Sequence, residues 1–476
     1  MSWPQIEPSS PHLTYLILSL FLILYALFSE LIRNRLHLSE PPLATLVGII
    51  SGPQGLDVLH PQTWGWEDDI TMEITRVIVG VQVFVAGIEL PRRWLSRHWV
   101  SVGLLLGPVM LFGWAAAAVV LHLVLGLGWM SALIVGACLT PTDPVLSASV
   151  LGEARFSQRV PMRLRRLLSA ESGCNDGIAF PILYVGLMAV TEATAGGAVR
   201  KWFLDVILWQ CVFGTVVGVG IGKSANYLLK MSEKKGFILD FTLFVFYFLL
   251  AIFCVGVGST LGADDFLVCF AAGTAFAWDG WFASKTEKIK LPNVIDLLLN
   301  STLFVYFGSI IPWTSYTDNL SAWKLLACLV LILLFRRIPI LLALYRWIPD
   351  LRNYHEAFFA GHFGPMGAGA LFLAIEARAR LETQTSSPLP HPPGDSPEPH
   401  KTIIEEVWPI VCFVVLGSTV VHGLSAMVMS LVSHFARHEK ERAPLIGGET
   451  ERLYGMASGG SLAGSAASED SDEGSN

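Results

Sequence analysis

The sequence predicts an all-α polytopic membrane protein, and three observations predict it. Of its 476 residues, 53% are hydrophobic and only 15% are charged, against about 25% charged in soluble globular proteins. Mean hydropathy is +0.55, and apolar runs long enough to cross a bilayer, about 20 residues, recur along the chain between charged punctuation. Two of these runs also carry polar interruptions: Thr140-Pro141-Thr142-Asp143-Pro144 within 129–152, and Glu171-Ser172-Gly173-Cys174-Asn175-Asp176-Gly177 leading into 178–190. An ionisable group in a membrane span is costly and marks function by default. Two prolines around an aspartate also remove backbone donors where lipid offers no replacement. Such a chain is tolerated only where the broken backbone and carboxylates line a protected polar site.

Thirteen candidate spans follow in order: 12–33, 41–59, 70–90, 100–126, 129–152, 167–192, 203–229, 237–259, 261–280, 293–313, 321–345, 354–378 and 403–433. The first reads as a retained span rather than a cleaved leader, because Met1–Pro11 lacks a basic region. The second is short and holds Gly and Pro. Basic residues set the orientation. Arg33 and Arg35, Arg92, Arg93 and Arg97, Arg155 to Arg166, Lys230 to Lys235, Lys285 to Lys290, and Arg346 and Arg352 follow alternate spans, and only Arg200 and Lys201 break the pattern. This places the N-terminus outside and the C-terminus in the cytoplasm. The Pro/Ser/Thr-rich segment 382–400 reads as a disordered external loop, and the Gly/Ser-rich acidic tail 436–476 as a disordered cytoplasmic extension. Asn319 heads a glycosylation sequon. The seven cysteines lie in apolar segments without a Cys-x-x-Cys pair, so neither a disulfide framework nor a thiolate metal site is supported. No cofactor and no nucleic-acid partner is expected.

Span five carries the Pro-Thr-Asp-Pro break, and span twelve carries Gly361-His362-Phe363-Gly364-Pro365-Met366-Gly367-Ala368-Gly369. The two run in opposite directions in the charge-derived topology. Paired interrupted spans in two halves point to an inverted-repeat transporter; the plainer reading of the span-twelve glycines is close helix packing. Unwound backbone leaves carbonyl oxygens free, and half-helix ends aim partial charges at the gap. Asp176 can face this break from span six, with Asn175 beside it and Ser172 one turn earlier on the same helical face. Asp176, Ser172, Thr142 and freed carbonyls are the oxygen ligands a hard monovalent cation wants. Desolvation favours a protonated carboxyl and a bound cation opposes it, so proton and cation compete for one group, which suffices for coupled exchange. Asp143 either serves the site or neutralises a helix dipole.

Arg336 and Arg337 lie inside span eleven, where a buried arginine needs a partner. Glu171 with Arg337 is the preferred pair, and snorkelling of either arginine is the alternative. Glu89, Asp240, Asp264, Asp265 and His362 are candidates for ion access or pH sensing. Their plainer readings are helix N-terminal acids and a hydrogen-bonded core histidine.

Glu171–Gly177 after Thr140–Pro144 resembles the signature of the cation/proton antiporter superfamily, specifically monovalent cation–proton antiporters with an Asn-Asp pair, and is most similar to the fungal plasma-membrane sodium/proton antiporters. Phe84–Leu90 and Gly262–Phe276 also look like family segments, and the resemblance covers about residues 10–435. It implies a homodimer in the plasma membrane, exchanging cytoplasmic Na+ or Li+ for external H+ by elevator-type movement. Within a transporter unit of residues 1–435 it implies a dimerisation domain of spans 1–3 and 8–10, a core of spans 4–6 and 11–13, and span 7 as linker. Asp176 would be the ion- and proton-binding carboxylate, supported by Asn175, Ser172 and Thr142. Asp143 would lie at the crossing of two broken helices, and Glu171 and Arg337 would form the buried pair. Met366 stands where animal relatives carry an arginine, and the tail is shorter than in fungal members. The competing class, a gated cation channel, lacks a repeated filter loop or a voltage-sensing arginine helix. No intramembrane enzyme motif is present.

Overall fold

The computed structural model describes residues 9–36, 38–144, 146–147, 160–239, 242–286, 291–318, 320–389 and 400–435. Asp240, Asn319, the tail 436–476 and residues 390–399 of the predicted external loop lie outside them. Among the described residues every regular element is helical. The main helices are α1 (Ser10–Glu30), α2 (Glu40–Ser51), α3 (Glu67–Glu89), α4 (Trp94–Leu125), α5 (Trp129–Cys138), α6 (Met162–Thr191), α7 (Ala195–Lys234), α8 (Thr242–Leu261), α9 (Asp265–Phe276), α10 (Leu291–Ser309), α11 (Ala322–Phe335), α12 (Ile338–Leu344), α13 (Tyr354–His362), α14 (Ala368–Thr383) and α15 (Lys401–Phe435). Seven of the helical stretches are long and apolar enough to cross a membrane by length and composition, and shorter apolar helices accompany them.

The helices break where the sequence removes backbone donors. After α5 the chain is extended from Pro141 to Asp143 and turns helical again at Pro144, whose missing N–H costs nothing at the start of a helix. The second break, 363–367, separates α13 from α14 around Pro365. Span eleven, predicted as one helix, is also interrupted. Arg337 has φ −125° and ψ −40°, and Pro339 is the second residue of α12. Proline cannot donate to the preceding turn, and its ring crowds the carbonyl four residues back, that of Phe335, where α11 ends. The break lets the adjacent arginines serve different targets. Span two, predicted to reach residue 59, ends as a helix at Ser51, where Gly52 departs into the extended region and the chain turns back.

Small residues allow the helices around the site to approach closely, as at membrane interfaces generally. A Cβ on Gly218 or Gly222 of α7 would overlap the backbone of α9 at Val268 and Ala272, and one on Gly273 of α9 would overlap the Phe84 carbonyl of α3. On α6, the helix that carries Asp176, a Cβ on Gly173 would meet the Phe270 ring and one on Gly177 the Leu267 side chain, both of α9.

Candidate functional site

The centre of the site is a crossing of two broken helices. The backbone N–H of Asp143, in the first break, donates to the Pro365 carbonyl in the second at 2.8 Å. The Asp143 carboxylate then caps two half-helices at once. Its Oδ1 accepts from Leu146 N–H at 2.8 Å, on the helix that resumes after the first break, and its Oδ2 accepts from Ala368 N–H at 2.9 Å, the first residue of α14. A carboxylate at a helix N-terminus satisfies orphan donors and opposes the positive end of the dipole; here one group does so for both.

Arg336 does the converse for the C-terminal ends. Its guanidinium donates to the carbonyls of Leu139 at 2.5 Å, Thr140 at 3.2 Å and Pro141 at 3.4 Å beyond α5, and to the Gly364 carbonyl beyond α13. Arg336 is 3% exposed, so it does not snorkel. The carbonyls expected as cation ligands are thus largely engaged by this arginine. The sequence reading noticed Arg336 but missed its role. The one signal in the sequence is a second arginine beside Arg337 in an apolar span. Arg337 is also buried and forms a bidentate pair with Glu171, Nη1 to Oε1 at 2.5 Å and Nη2 to Oε2 at 3.0 Å, with Nη2 also 3.3 Å from the Ala360 carbonyl.

Beside the crossing, α6 presents Ser172, Asn175 and Asp176, all buried. Asn175 clamps the first break: its Nδ2 donates to Thr142 Oγ1 at 2.7 Å, and its Oδ1 accepts from Thr142 N–H at 3.2 Å. These partners fix the amide orientation, because only a carbonyl oxygen can accept from the backbone. Thr142 Oγ1 is also 2.9 Å from Ser172 Oγ. Asp176 differs from all of these. It is 1% exposed, and neither carboxylate oxygen has a hydrogen-bond partner among the described residues. Such a group is costly unless something else satisfies it. The carboxylates of Asp143 and Asp264 lie within electrostatic reach. Gly369 faces it from α14, where a Cβ would overlap Asp176 Oδ1; the sequence shows that glycine only as part of the interruption in span twelve.

The remaining candidates are distributed unevenly. Asp264 approaches from the start of α9, where Oδ1 caps Phe266 and Leu267 N–H at 3.0 Å each and the buried Oδ2 has no hydrogen-bond partner among the described residues. Asp265 turns away, its Oδ2 3.6 Å from Arg76 Nε. Glu89 ends α3 and is exposed. His362 faces α15, 2.9 Å from Ser425 Oγ, while its carbonyl lies 2.9 Å from His422 Nε2. Ser418 on α15 accepts from Met366 N–H at 2.8 Å and so ties α15 to the second break. Further ion pairs tie distant parts of the chain: half-buried Arg163 with buried Glu356 at 3.0 Å, and Asp68 with Arg378, both buried, at 3.3 Å. Their partners are 193 and 310 residues apart, so no sequence spacing could have matched them.

No group of three His, Cys, Asp or Glu among the described residues could hold a metal ion. The arrangement is one unsatisfied buried carboxylate beside hydroxyl and amide oxygens, with helix ends neutralised on both sides. It suits a proton or a weakly held monovalent cation.

Comparison with known proteins shows the family and the fold. The profile of the family described as sodium/hydrogen exchanger, transmembrane, matches residues 17–430. A probable Na+/H+ antiporter of Schizosaccharomyces pombe is 46% identical over 430 residues, covering 89% of this chain and 57% of the relative. A Na+/H+ antiporter of Saccharomyces cerevisiae is 41% identical over 440 residues, covering 91% and 45%. The chain thus spans about half the length of these two relatives. The solved structure of the sodium proton antiporter MjNhaP1 from Methanocaldococcus jannaschii at pH 8 shares the fold, with TM-score 0.64 and 17% identity over 90% of this chain and 98% of that one.

Proposed function

Because the chain belongs to the sodium/hydrogen exchanger family, we propose that it is a secondary active antiporter that exchanges cytoplasmic Na+ or Li+ for external protons at Asp176. The observation that carries this reading is the Asp176 carboxylate, buried with both oxygens unpartnered beside the crossing. A proton or an alkali cation each satisfies it, and the two exclude one another. Coupling follows when the empty, charged site crosses the membrane rarely. Asn175, Ser172 and Thr142 organise the pocket from the first break and α6. Asp143 and Arg336 hold the break open without leaving net helix-end charge in it, and Glu171 with Arg337 ties α6 to the α11–α12 junction. The names of the yeast relatives, Na+/H+ antiporters, support the choice of ions.

In this reading α4–α6 and α11–α15 form a moving core, α1–α3 and α8–α10 a dimerisation scaffold, and α7 the linker. The chain works as a homodimer in the plasma membrane with its N-terminus outside. The apolar face of α1, with Tyr15, Leu16, Leu20, Leu27 and Phe28 exposed, supports a lipid or partner contact there. One-for-one exchange is preferred, since a single carboxylate carries the competition. A channel reading is not favoured, because the Asp176 carboxylate is buried.

The test is reconstitution in vesicles with internal pH followed while Na+, Li+ or K+ is added outside. Wild type should move protons against Na+ and Li+, and Asp176→Asn should not. Proton-independent conductance in wild type, or undiminished exchange in Asp176→Asn, contradicts the reading. Repeating the assay under an imposed potential reads the stoichiometry.

A further inference from the structure

A second cluster of acids lies away from Asp176, at the interface of α3, α8 and α10. Gln82 Nε2 of α3 donates to Asn300 Oδ1 of α10 at 3.0 Å, both side chains being buried. These helices run antiparallel by the charge-derived topology. Seven residues on from Gln82, two turns along the same face, stands Glu89; four residues back from Asn300, one turn along its face, stands Asp296. Both steps lead toward the membrane face where the basic loops gather. Glu89 and Asp296 interact electrostatically, and no ion pair to either is found among the described residues. Asp296 Oδ1 is buried without a hydrogen-bond partner among the described residues.

Tyr247 on α8 completes the cluster. It is 1% exposed, its hydroxyl has no hydrogen-bond partner among the described residues, and it interacts electrostatically with Asp296 and Glu89. A buried phenol without a partner normally costs free energy, since tyrosine hydroxyls find partners when buried. Glu89 keeps exposed surface at the end of α3, so the cluster has one open side while Asp296 and Tyr247 back it. Two carboxylates and a phenol offer hard oxygen ligands, too few for a dedicated divalent site and sufficient for a partly hydrated alkali cation.

We propose that Glu89, Asp296 and Tyr247 form a second alkali-cation site on the scaffold, at the cytoplasmic mouth, that loads Na+ or Li+ ahead of Asp176. This rests on the exchange reading above, and it places the loading site on α3, α8 and α10, which do not carry Asp176. Gathering cations at a fixed acidic mouth raises their local concentration, so it acts on apparent affinity rather than on turnover.

The experiment uses the full chain, purified and reconstituted. Equilibrium binding of radioactive Na+ is measured for Asp176→Asn and for Asp176→Asn combined with Glu89→Gln and Asp296→Asn. In parallel, Na+-driven exchange is measured for the Glu89→Gln/Asp296→Asn pair, for Tyr247→Phe and for Asp296→Glu in an otherwise wild-type chain. Asp176→Asn should retain Na+ binding that the triple variant loses. The paired variant should raise KM for cytoplasmic-side Na+ several-fold with Vmax little changed, Tyr247→Phe should do so more weakly, and the charge-conserving Asp296→Glu should keep part of the affinity that the paired variant loses. Equal Na+ binding by the two Asp176→Asn proteins, or an unchanged KM in the paired variant, overturns the proposal. Exchange that survives Asp176→Asn would instead overturn the reading on which it rests.

Discussion

Asp176 has no donor of its own, and Gly369 sets how much room its occupant receives. In Gly369→Ala the added Cβ meets Asp176 Oδ1. The carboxylate must rotate or the pocket must shrink, so Na+ transport should fall while the smaller Li+ is retained better. Vesicle assays that compare KM and Vmax for the two ions read this directly. Asn175 is the second lever. Its amide satisfies both the hydroxyl and the N–H of Thr142. Asn175→Ala should therefore leave a buried donor unmet, at about 1–3 kcal/mol. A lower Tm of the purified protein together with slower exchange is expected; an unchanged Tm would mean that the clamp does not hold the break.

At the scale of elements, the two broken helices are held by one acid and one base. Asp143→Ala removes both N-caps, at about 1 kcal/mol each, and Arg336→Leu leaves four carbonyl groups without a donor, so each should lower Tm and abolish exchange. Asp143→Asn keeps one acceptor oxygen and should be the milder change. The first break was legible in the sequence because Pro141 and Pro144 leave no alternative around Asp143. The second was legible as a run of glycines, and the opposite directions of the two spans follow from loop charges alone. The role of Arg336 was not legible, because its targets are backbone carbonyls, which carry no sequence signature. For the same reason carbonyls that looked free as ion ligands are found occupied. The interruption of span eleven was present in Arg337-Ile338-Pro339 but was masked by the strength of the surrounding apolar run. Asp176, Asn175, Ser172 and Thr142 could be brought together on paper because a short loop joins spans five and six; Gly369 and Asp264 could not, since only the tertiary fold sets their depth against Asp176.

For the whole molecule, the ion pairs report which helices move together. Arg163–Glu356 and Glu171–Arg337 join elements of the proposed core, whereas Asp68–Arg378 joins α3 of the proposed scaffold to α14 of the core. Elevator movement requires the third pair to part in each cycle and leaves the first two intact. Cysteines placed at 68 and 378 and bridged by a short cross-linker should arrest transport reversibly, while the same bridge between 163 and 356 should not. The described native cysteines are all free and buried; they are replaced by alanine so that only the introduced pairs can react. Transport that continues through a bridged 68–378 pair would rule out relative movement of α3 and α14. Breaking Glu171–Arg337 by Glu171→Gln leaves a buried guanidinium without its counter-ion, and about 3–5 kcal/mol of stability should be lost, read as loss of folded protein on heating.

The central claim is that H+ and an alkali ion occupy the same carboxyl group in turn, and the pH dependence of Na+ half-saturation in reconstituted vesicles tests it most directly. Mutual exclusion predicts that KM for Na+ rises about tenfold for each unit that pH falls on the acid side of the group's titration, with Vmax constant and the effect absent together with transport in Asp176→Asn. A KM that stays level while Vmax titrates would mean that the proton acts elsewhere, and the account would be wrong.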